Sequence, residues 1–226
     1  MELYSYSLSL FSAKVRIVLA EKQLGYVRHD VPFDPERGYV PKHPQVAALN
    51  PKQQVPVLTA GDLALYDSTV ILEYLEDLAP DPPLYPREPK AKARCRLLEL
   101  EADEVFFAPV ATLIRRRYAR AAGVPEDPQE LPQSAAAFAA HCERLSGQLG
   151  DAEYLCGAFS VADISHLLVA CFGLGLGLAT PELANLNAWF ARVGSRPSVA
   201  HEIGVMTEAA RVLPPSQPAR EVQVSP

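Results

Sequence analysis

The chain has 226 residues, an apolar fraction of 49% and a formal net charge of −6 at pH 7. This length and composition suffice for a sizeable apolar core without metal ions or disulfides as supports. The longest basic run is Arg115-Arg116-Arg117. Because nucleic-acid binding depends on clustered positive charge, we expect no nucleic-acid partner.

Targeting and cysteine patterns indicate a cytoplasmic protein. Residues 1–12 lack the basic region and apolar run of a secretory signal. The longest apolar stretch, residues 167–179, is interrupted by glycines and is shorter than the roughly 20 residues that span a bilayer. The four cysteines, Cys95, Cys142, Cys156 and Cys171, form no CxxC pair. We therefore expect unpaired thiols, no metal and no membrane partner.

Strand and helix patterns alternate over the first eighty residues. Strands are predicted at Glu2–Tyr6, Tyr26–Val31, Val55–Leu58 and Leu63–Tyr66. Helices are predicted at Phe11–Lys22 and Thr69–Leu78. The second of these helices has an apolar stripe that consists of Val70, Ile71, Tyr74, Leu75 and Leu78.

A proline-rich segment separates this region from one with only helical patterns. Five of the ten residues from Pro80 to Pro89 are proline, which can continue neither a helix nor a central strand. Helices are predicted beyond it, near residues 90–122, 131–148, 161–178, 181–193 and 197–205. We therefore predict an α/β domain at 1–79, a linker at 80–89, an all-helical domain at 90–213 and a loosely ordered tail at 214–226.

Pro56 stands at the entry of a predicted strand, where its missing N–H is tolerated. We predict a cis Val55–Pro56 bond that leaves the N–H and C=O of Val55 free to dock an extended peptide. An ordinary trans proline at a loop-to-strand junction is the alternative.

Asp67 and Ser68 precede a predicted helix, where they act as caps worth about 1 kcal/mol. The same geometry suits a ligand that carries an ammonium and a carboxylate on one carbon. The acidic side chain attracts the ammonium, and the free N–H groups at the helix start attract the carboxylate. The two interpretations are compatible.

Four motifs in the chain resemble those of the soluble, cytosolic glutathione transferase family. In chain order they are Ser9…Val15-Arg16, Asn50-Pro51-x-x-x-Val55-Pro56, Asp67-Ser68-Thr69-Val70-Ile71-x-x-Tyr74-Leu75 and Gly157-x-x-Ser160-x-x-Asp163. Each motif is weak alone, and together they are specific. The resemblance extends to about residue 197. It implies a thioredoxin-like domain that binds glutathione, a helical-bundle domain that holds a hydrophobic electrophile, and a homodimer.

The resemblance also implies roles for individual residues. Val55 would pair with the cysteinyl backbone of glutathione, and Asp67 with Ser68 would hold the γ-glutamyl ammonium and carboxylate. Lys42 matches a basic position that pairs with the glycyl carboxylate, although a solvated surface lysine is an equal alternative. Gln54 stands where a polar side chain contacts the peptide. Many members have glycine at the position of Gln53, so the loop before Val55 is expected to differ locally.

A hydroxyl near the first helix is needed to activate the glutathione thiol. A thiol with a pKa near ~8.5 is mostly protonated at neutral pH, and a hydroxyl donor at a helix N-terminus favours the thiolate. The resemblance to serine-type members places Ser9 in this role. Ser12 is the runner-up, but we expect it to cap the helix. Tyr6 is the tyrosine-type alternative, although Tyr4 and Tyr6 share a strand face on which both could pack.

The helical region has fewer functional signals. Ser160-x-x-Asp163 is a variant capping box that is expected to nucleate a buried helix, and Trp189 is expected to pack in the core. The residues that could face a co-substrate cleft are Phe106, Phe107, Arg115, Arg117 and Tyr118, and periodicity does not select among them.

The main functional hypothesis is a glutathione transferase. One alternative is a glutathione-dependent maleylacetoacetate-type isomerase, but that family has a Ser-Ser-Cys run where this chain has Ser9-Leu10-Phe11. A second alternative is a non-catalytic glutathione-binding regulatory protein. A glutaredoxin-like redox role is disfavoured because Ser9 cannot form a mixed disulfide.

Overall fold

The computed structural model describes residues 1–34, 38–40, 42–121 and 123–211. The strands are β1 (Glu2–Ser5), β2 (Val27–Asp30), β3 (Val57–Ala60) and β4 (Leu63–Tyr66). The α-helices are α1 (Leu10–Glu21), α2 (Pro44–Leu49), α3 (Ser68–Leu78), α4 (Pro89–Glu101), α5 (Phe107–Ala121), α6 (Glu130–Leu149), α7 (Val161–Gly175), α8 (Ala184–Gly194) and α9 (Pro197–Arg211). A π-helical turn, Ala102–Phe106, joins α4 to α5.

The four strands form one mixed sheet in the order β2-β1-β3-β4. β1 and β2 are parallel because α1 crosses between them, whereas β3 and β4 form an antiparallel hairpin. Gly61 at the hairpin turn has a φ of +63°, which glycine adopts without steric cost. The predicted thioredoxin-like domain with a four-stranded mixed sheet is confirmed. The predicted strand bounds differ from the observed ones by at most two residues.

The apolar face of α3 differs from its predicted stripe. Ile71 and Leu75 are buried as predicted, but Val70 and Leu78 are each 49% exposed. Leu72 is fully buried instead. The prediction for Val70 and Leu78 is therefore wrong, because the buried face of α3, which packs on α1, is centred on Ile71, Leu72 and Leu75.

The remaining chain is helical, as predicted, but some bounds differ. The single helix expected at 90–122 consists of α4, the π-helical turn and α5, and residue 122 lies outside the described part. The helix α7 ends three residues early, at Gly175, whereas α9 extends to Arg211. The short helix α2 was not predicted. The predicted tail at 214–226 lies outside the described residues, and the domain bounds stay a prediction.

The helix α7 forms the centre of the helical region. Asp163 in its first turn accepts hydrogen bonds from the N–H and Oγ of Ser160, at 3.0 and 2.9 Å. The other oxygen of Asp163 accepts from Nε1 of Trp189 at 2.8 Å, and Trp189 is fully buried. The capping motif and Trp189 therefore have the structural roles expected of them. Among the described residues, no helix is long and apolar enough to cross a membrane.

Candidate functional site

A cavity of about 610 Å³ lies where the sheet meets the helical region. One wall comes from the loop between β1 and α1 and from the segment before β3, and it includes Leu8, Ser9, Phe11, Gln54 and Val55. The other wall comes from α5, α7 and α9, and it includes Phe107, Ile114, Arg117, Phe172, Ile203 and Met206. Most of these side chains are apolar. The cavity therefore suits an apolar molecule beside a small set of polar groups.

Ser9 is the N-cap of α1 and lines the cavity. Its N–H donates to the carbonyl of Tyr6 at 3.0 Å, which closes a tight turn after β1. Its Oγ accepts from the N–H of Ser12 at 3.2 Å, so the hydroxyl proton remains to donate elsewhere. The expectation that Ser12 caps α1 is wrong. Ser12 is fully buried within the helix and is outside the described lining of the cavity.

Tyr6 lines the cavity, but its ring packs against two other aromatic rings. It stacks on Phe33 with ring centroids 4.7 Å apart and meets Tyr39 edge-on at 6.2 Å. On the same strand face, Tyr4 stacks on His29 at 4.7 Å. Burial raises the pKa of Tyr6, so its hydroxyl stays protonated at neutral pH.

The segment before β3 is folded by Asn50. Its Nδ2 donates to the carbonyl of Gln54 at 2.7 Å, and its Oδ1 accepts from the N–H of Lys52 at 2.9 Å. Gln53 has a φ of +53°, the left-handed conformation that glycine adopts most readily. Gln53 therefore adopts a backbone conformation that suits the glycine found at this position in many family members.

The Val55–Pro56 bond is cis, which confirms the prediction. Among the residues that the structure describes, none forms a backbone hydrogen bond with the N–H or C=O of Val55. Val55 is buried and lines the cavity together with Gln54, whereas Pro56 lies behind this surface.

Asp67 and Ser68 lie at the same end of the sheet. The pairing of Val57 with Tyr66 places them across from Pro56 at the start of α3. Asp67 caps α3 by accepting from the N–H of Thr69 at 3.1 Å, and its φ is +76°. Such a backbone conformation is costly for a residue with a Cβ and is concentrated at binding sites. Asp67 is exposed and Ser68 is buried, and neither is part of the described lining of the cavity.

Comparison with known proteins decides the family. A profile described as "Glutathione S-transferase, N-terminal domain" matches residues 3–83. The crystal structure of a glutathione S-transferase from Rhodospirillum rubrum is 28% identical, covers 89% of this chain and 90% of that chain, and has a TM-score of 0.76. A stringent starvation protein A homolog from Pasteurella multocida is 30% identical over 213 residues, which are 91% of each protein. The chain belongs to the glutathione transferase family.

A second relative is similar over about half of its length. This stringent starvation protein A homolog from Coxiella burnetii is 41% identical over 109 residues, 47% of this chain and 48% of that protein. Two of the relatives to which this chain is similar therefore have names that do not describe a transferase.

Of the sequence-predicted site residues in this transferase-family chain, Ser9, Gln54 and Val55 come together at the cavity. Pro56 stands between Val55 and the start of β3, and Asp67 and Ser68 follow the end of β4, which pairs with the start of β3. Lys42 is exposed and lies outside the described lining of the cavity.

Only some of the helical residues that were expected to face the cleft line the cavity. Phe107 and Arg117 line the cavity, whereas Phe106 is fully buried against Phe138, with ring centroids 4.8 Å apart. Arg115 is exposed to solvent and donates to Thr112 at 2.8 Å. The side chain of Tyr118 lies outside the described part of the chain.

A buried ionic network beneath α3 was not predicted. Nζ of Lys14 lies 2.5 Å from Glu99 and 2.6 Å from Asp103, and Oγ1 of Thr69 donates to Glu99 at 2.9 Å. Burial raises the pKa of Asp103 to about 6, and the charge of Lys14 opposes that shift. The network joins the start of α3 to α4 and the π-helical turn. The four-residue spacing of Glu99 and Asp103 places two acidic side chains on one helix face, but nothing in the sequence indicates that Lys14 is their partner.

Cys171 also lines the cavity, but it is not a ready nucleophile. Burial raises the pKa of its thiol to about 11, so it stays protonated at neutral pH. All four cysteines are free. Among the described residues, no three His, Cys, Asp or Glu side chains are grouped so that they could hold a metal ion.

Proposed function

We propose that this chain is a serine-type glutathione transferase, in which Ser9 stabilises the thiolate of bound glutathione for attack on a hydrophobic electrophile. The observation that carries the proposal is the position of the Ser9 hydroxyl. It caps the N-terminus of α1, lines an apolar cavity and retains a proton to donate. A hydroxyl donor and the positive end of a helix both favour an anionic sulfur.

In this proposal, glutathione lies along the end of the sheet. The backbone of Val55, which has no backbone hydrogen bond to any residue that the structure describes, binds the cysteinyl residue, with Gln54 beside it and Pro56 supporting the turn. The γ-glutamyl carboxylate is held by Ser68 and the start of α3, and its ammonium by Asp67. Lys42 contributes only long-range attraction to the glycyl carboxylate, because it is exposed and outside the cavity.

The chemistry follows from this placement. The thiolate is the nucleophile, whereas the thiol is poorly reactive. A hydrogen bond from Ser9 to sulfur increases the thiolate fraction at neutral pH. The electrophile occupies the apolar part of the cavity beside Phe107 and Ile114, where burial of its apolar surface provides binding energy.

A second candidate function is a glutathione-binding regulatory protein without transferase activity. Its support is the name of two relatives, stringent starvation protein A homologs, one of which matches over 91% of this chain. In this case Val55, Asp67 and Ser68 would still bind glutathione, but the cavity would not hold an electrophile for reaction.

Activity profiling separates the two candidates. We would measure glutathione binding by calorimetry and conjugation with a panel of electrophiles, using the wild type and Ser9→Ala. A transferase binds glutathione in the micromolar-to-millimolar range, roughly −8 to −4 kcal/mol, and conjugates at least one electrophile in a Ser9-dependent way. Binding without conjugation of any electrophile would favour the regulatory candidate.

We also propose that the chain is a cytoplasmic homodimer. Several apolar side chains on α3, α4 and the π-helical turn are exposed, namely Val70, Leu97, Leu100 and Val105, with exposures of 49–55%. The ion pair of Glu73 with Arg96, at 2.6 Å, holds α3 against α4. Exposed apolar patches mark interfaces, and a two-fold dimer is the commonest oligomer. Sedimentation that shows only a 24.6 kDa species would contradict this proposal.

A further inference from the structure

Arg16 is a buried cation whose partners lie on both sides of the cavity. It is 2% exposed, and its Nε and Nη2 lie 2.8 and 2.7 Å from Oε2 of Glu202 on α9. Glu202 is also buried, at 5% exposure. The pair therefore joins α1 of the sheet region to α9 of the helical region away from solvent.

The same guanidinium reaches the turn that carries Ser9. Nη1 of Arg16 donates to the carbonyl of Tyr6, and Nη2 donates to the carbonyl of Ser7, each at 3.3 Å. The Tyr6 carbonyl also accepts from the N–H of Ser9. Arg16 thus fixes the two carbonyls that define the turn, and Ser9 is the last residue of that turn.

Glu202 directly precedes a row of cavity residues on α9. Ile203, Met206 and Thr207 line the apolar wall, whereas Glu202 faces α1. The Arg16–Glu202 ion pair therefore links the turn that carries Ser9, which is proposed to contact the sulfur, to α9, which is proposed to contact the electrophile.

We propose that the Arg16–Glu202 pair positions the Ser9 turn against the α9 wall, and that Arg16 and Glu202 are positioning residues for thiolate formation. This inference rests on the proposed function of Ser9. The fork of guanidinium donors is required because three acceptors in different directions are bound at once, which a lysine ammonium at the end of a flexible stem cannot reproduce. The role of Glu202 is to neutralise and orient that fork.

A matched control exists at the other end of α1. Lys22 and Glu76 form a second buried pair, 2.7 Å apart, with side chains that are 0% and 9% exposed. This pair holds the linker through the carbonyls of Ala79 and Pro82 and contacts neither the Ser9 turn nor the cavity. Glu76→Gln therefore removes one buried negative charge that is paired with a cation of the α1 segment, as Glu202→Gln does, but on α3 and away from the Ser9 turn.

The first experiment follows the glutathione thiolate by its ultraviolet absorbance during a pH titration of the complex. We expect Arg16→Lys and Glu202→Gln to raise the pKa of bound glutathione by at least about half a unit, whereas Glu76→Gln leaves it unchanged. The double variant Arg16→Met with Glu202→Leu removes the buried pair without leaving an unpaired charge, so the fold is retained. It should still show the raised pKa. A wild-type pKa in this double variant would overturn the proposal, because a pair needed only for stability gives that result.

The second experiment does not depend on glutathione. Amide hydrogen exchange of free protein should be at least about tenfold faster at Ser9 and Ser12 in Glu202→Gln, and within about twofold of wild type in Glu76→Gln. Unchanged exchange at both amides would overturn the positioning role, whatever the enzymatic activity. If instead the wild-type complex shows no thiolate absorbance while the exchange result holds, the proposed function of Ser9 fails and the link between the turn and α9 stands.

Discussion

The two walls of the cavity are built by different means. On the sheet side, the groups proposed to bind glutathione are centred on the Val55 backbone, the Ser9 hydroxyl and the start of α3. They are positioned by the turn before Ser9, the turn folded by Asn50 and the cap of α3. On the helical side, the surface consists of side chains such as Phe107, Phe172 and Met206. A wall made of backbone tolerates few changes, because its geometry depends on special conformations. A wall made of apolar side chains changes its shape with each substitution.

This difference separates chemistry from selectivity. Thiolate formation requires a donor within hydrogen-bonding distance of sulfur, so it depends on the sheet wall. Binding of an apolar electrophile depends on area and shape, which the helical wall supplies. Substitutions on the sheet wall should therefore change either the thiolate pKa or the glutathione affinity, and substitutions on the helical wall should change electrophile binding alone.

The largest effect is expected for Ser9→Ala. Loss of the hydroxyl removes a hydrogen bond to the anionic sulfur, so the pKa of bound glutathione should rise. Conjugation at neutral pH should slow by at least about tenfold, or ~1.4 kcal/mol of transition-state stabilisation. Glutathione affinity should change little. The measurements are steady-state kinetics and the ultraviolet titration of the complex.

Two variants serve as controls for this prediction. Ser12→Ala alters a hydroxyl that is buried inside α1, and Tyr6→Phe alters a ring that packs on Phe33. Both should titrate like the wild type. If Ser9→Ala titrates like the wild type while either control shifts the curve, the role in activation belongs to the residue whose loss shifts it.

A smaller effect, on binding alone, is expected for Asp67→Ala. Its carboxylate is proposed to hold the γ-glutamyl ammonium, and an exposed charge pair with a ligand is weaker than a buried one. The dissociation constant of glutathione should rise about fivefold, or ~1 kcal/mol, with the thiolate pKa unchanged. Calorimetry measures the dissociation constant, and the ultraviolet titration measures the thiolate pKa. Because Asp67 also caps α3, the thermal midpoint should be recorded to separate lost stability from lost binding. An unchanged dissociation constant would mean that the ammonium is held elsewhere.

The sequence predicted the sheet wall better than the helical wall for a physical reason. The cis bond at Val55–Pro56 and the cap at Asp67 are local features, and the residues that specify them are neighbours in the chain. Residues that line the helical wall come from α5, α7 and α9, so their meeting depends on helix packing. Periodicity therefore could not separate Phe107, which lines the cavity, from Phe106, which is buried beside Phe138.

The buried charged residues of α1 were not predicted from the sequence either. Lys14 and Arg16 of α1 are at most 2% exposed, although a charged residue in a helix is normally assigned to the solvent face. Their partners Glu99 and Glu202 are 85 and 186 residues away in the chain. A single sequence offers no local signal for pairs at such separation, so both networks became visible only in the fold.

A test of the helical wall is Phe107→Ala. The ring of Phe107 meets Phe11 edge-on, with centroids 5.2 Å apart, and lines the cavity. Loss of that aromatic surface should raise the KM for an aromatic electrophile about threefold, or ~0.7 kcal/mol, within the range of aromatic contacts. The glutathione dissociation constant and the thiolate pKa should stay at wild-type values. Leu131→Ala is the control, since Leu131 on α6 is 45% exposed and lies outside the described lining. A changed thiolate pKa in Phe107→Ala would contradict the assignment of thiolate formation to the sheet wall alone.

The smallest effect is expected for Lys42→Ala. Family resemblance implies a pair with the glycyl carboxylate, but Lys42 is exposed and apart from the described cavity lining. An exposed charge acting at a distance is screened by salt, so its loss should raise the glutathione dissociation constant by less than about twofold, or ~0.4 kcal/mol. The effect should shrink further as ionic strength increases.

Lys90→Ala, at an exposed lysine near the start of α4, controls for the change in net charge. A rise of more than about fivefold for Lys42→Ala alone, retained at high salt, would show a direct contact with the carboxylate. The sheet wall would then extend to Lys42.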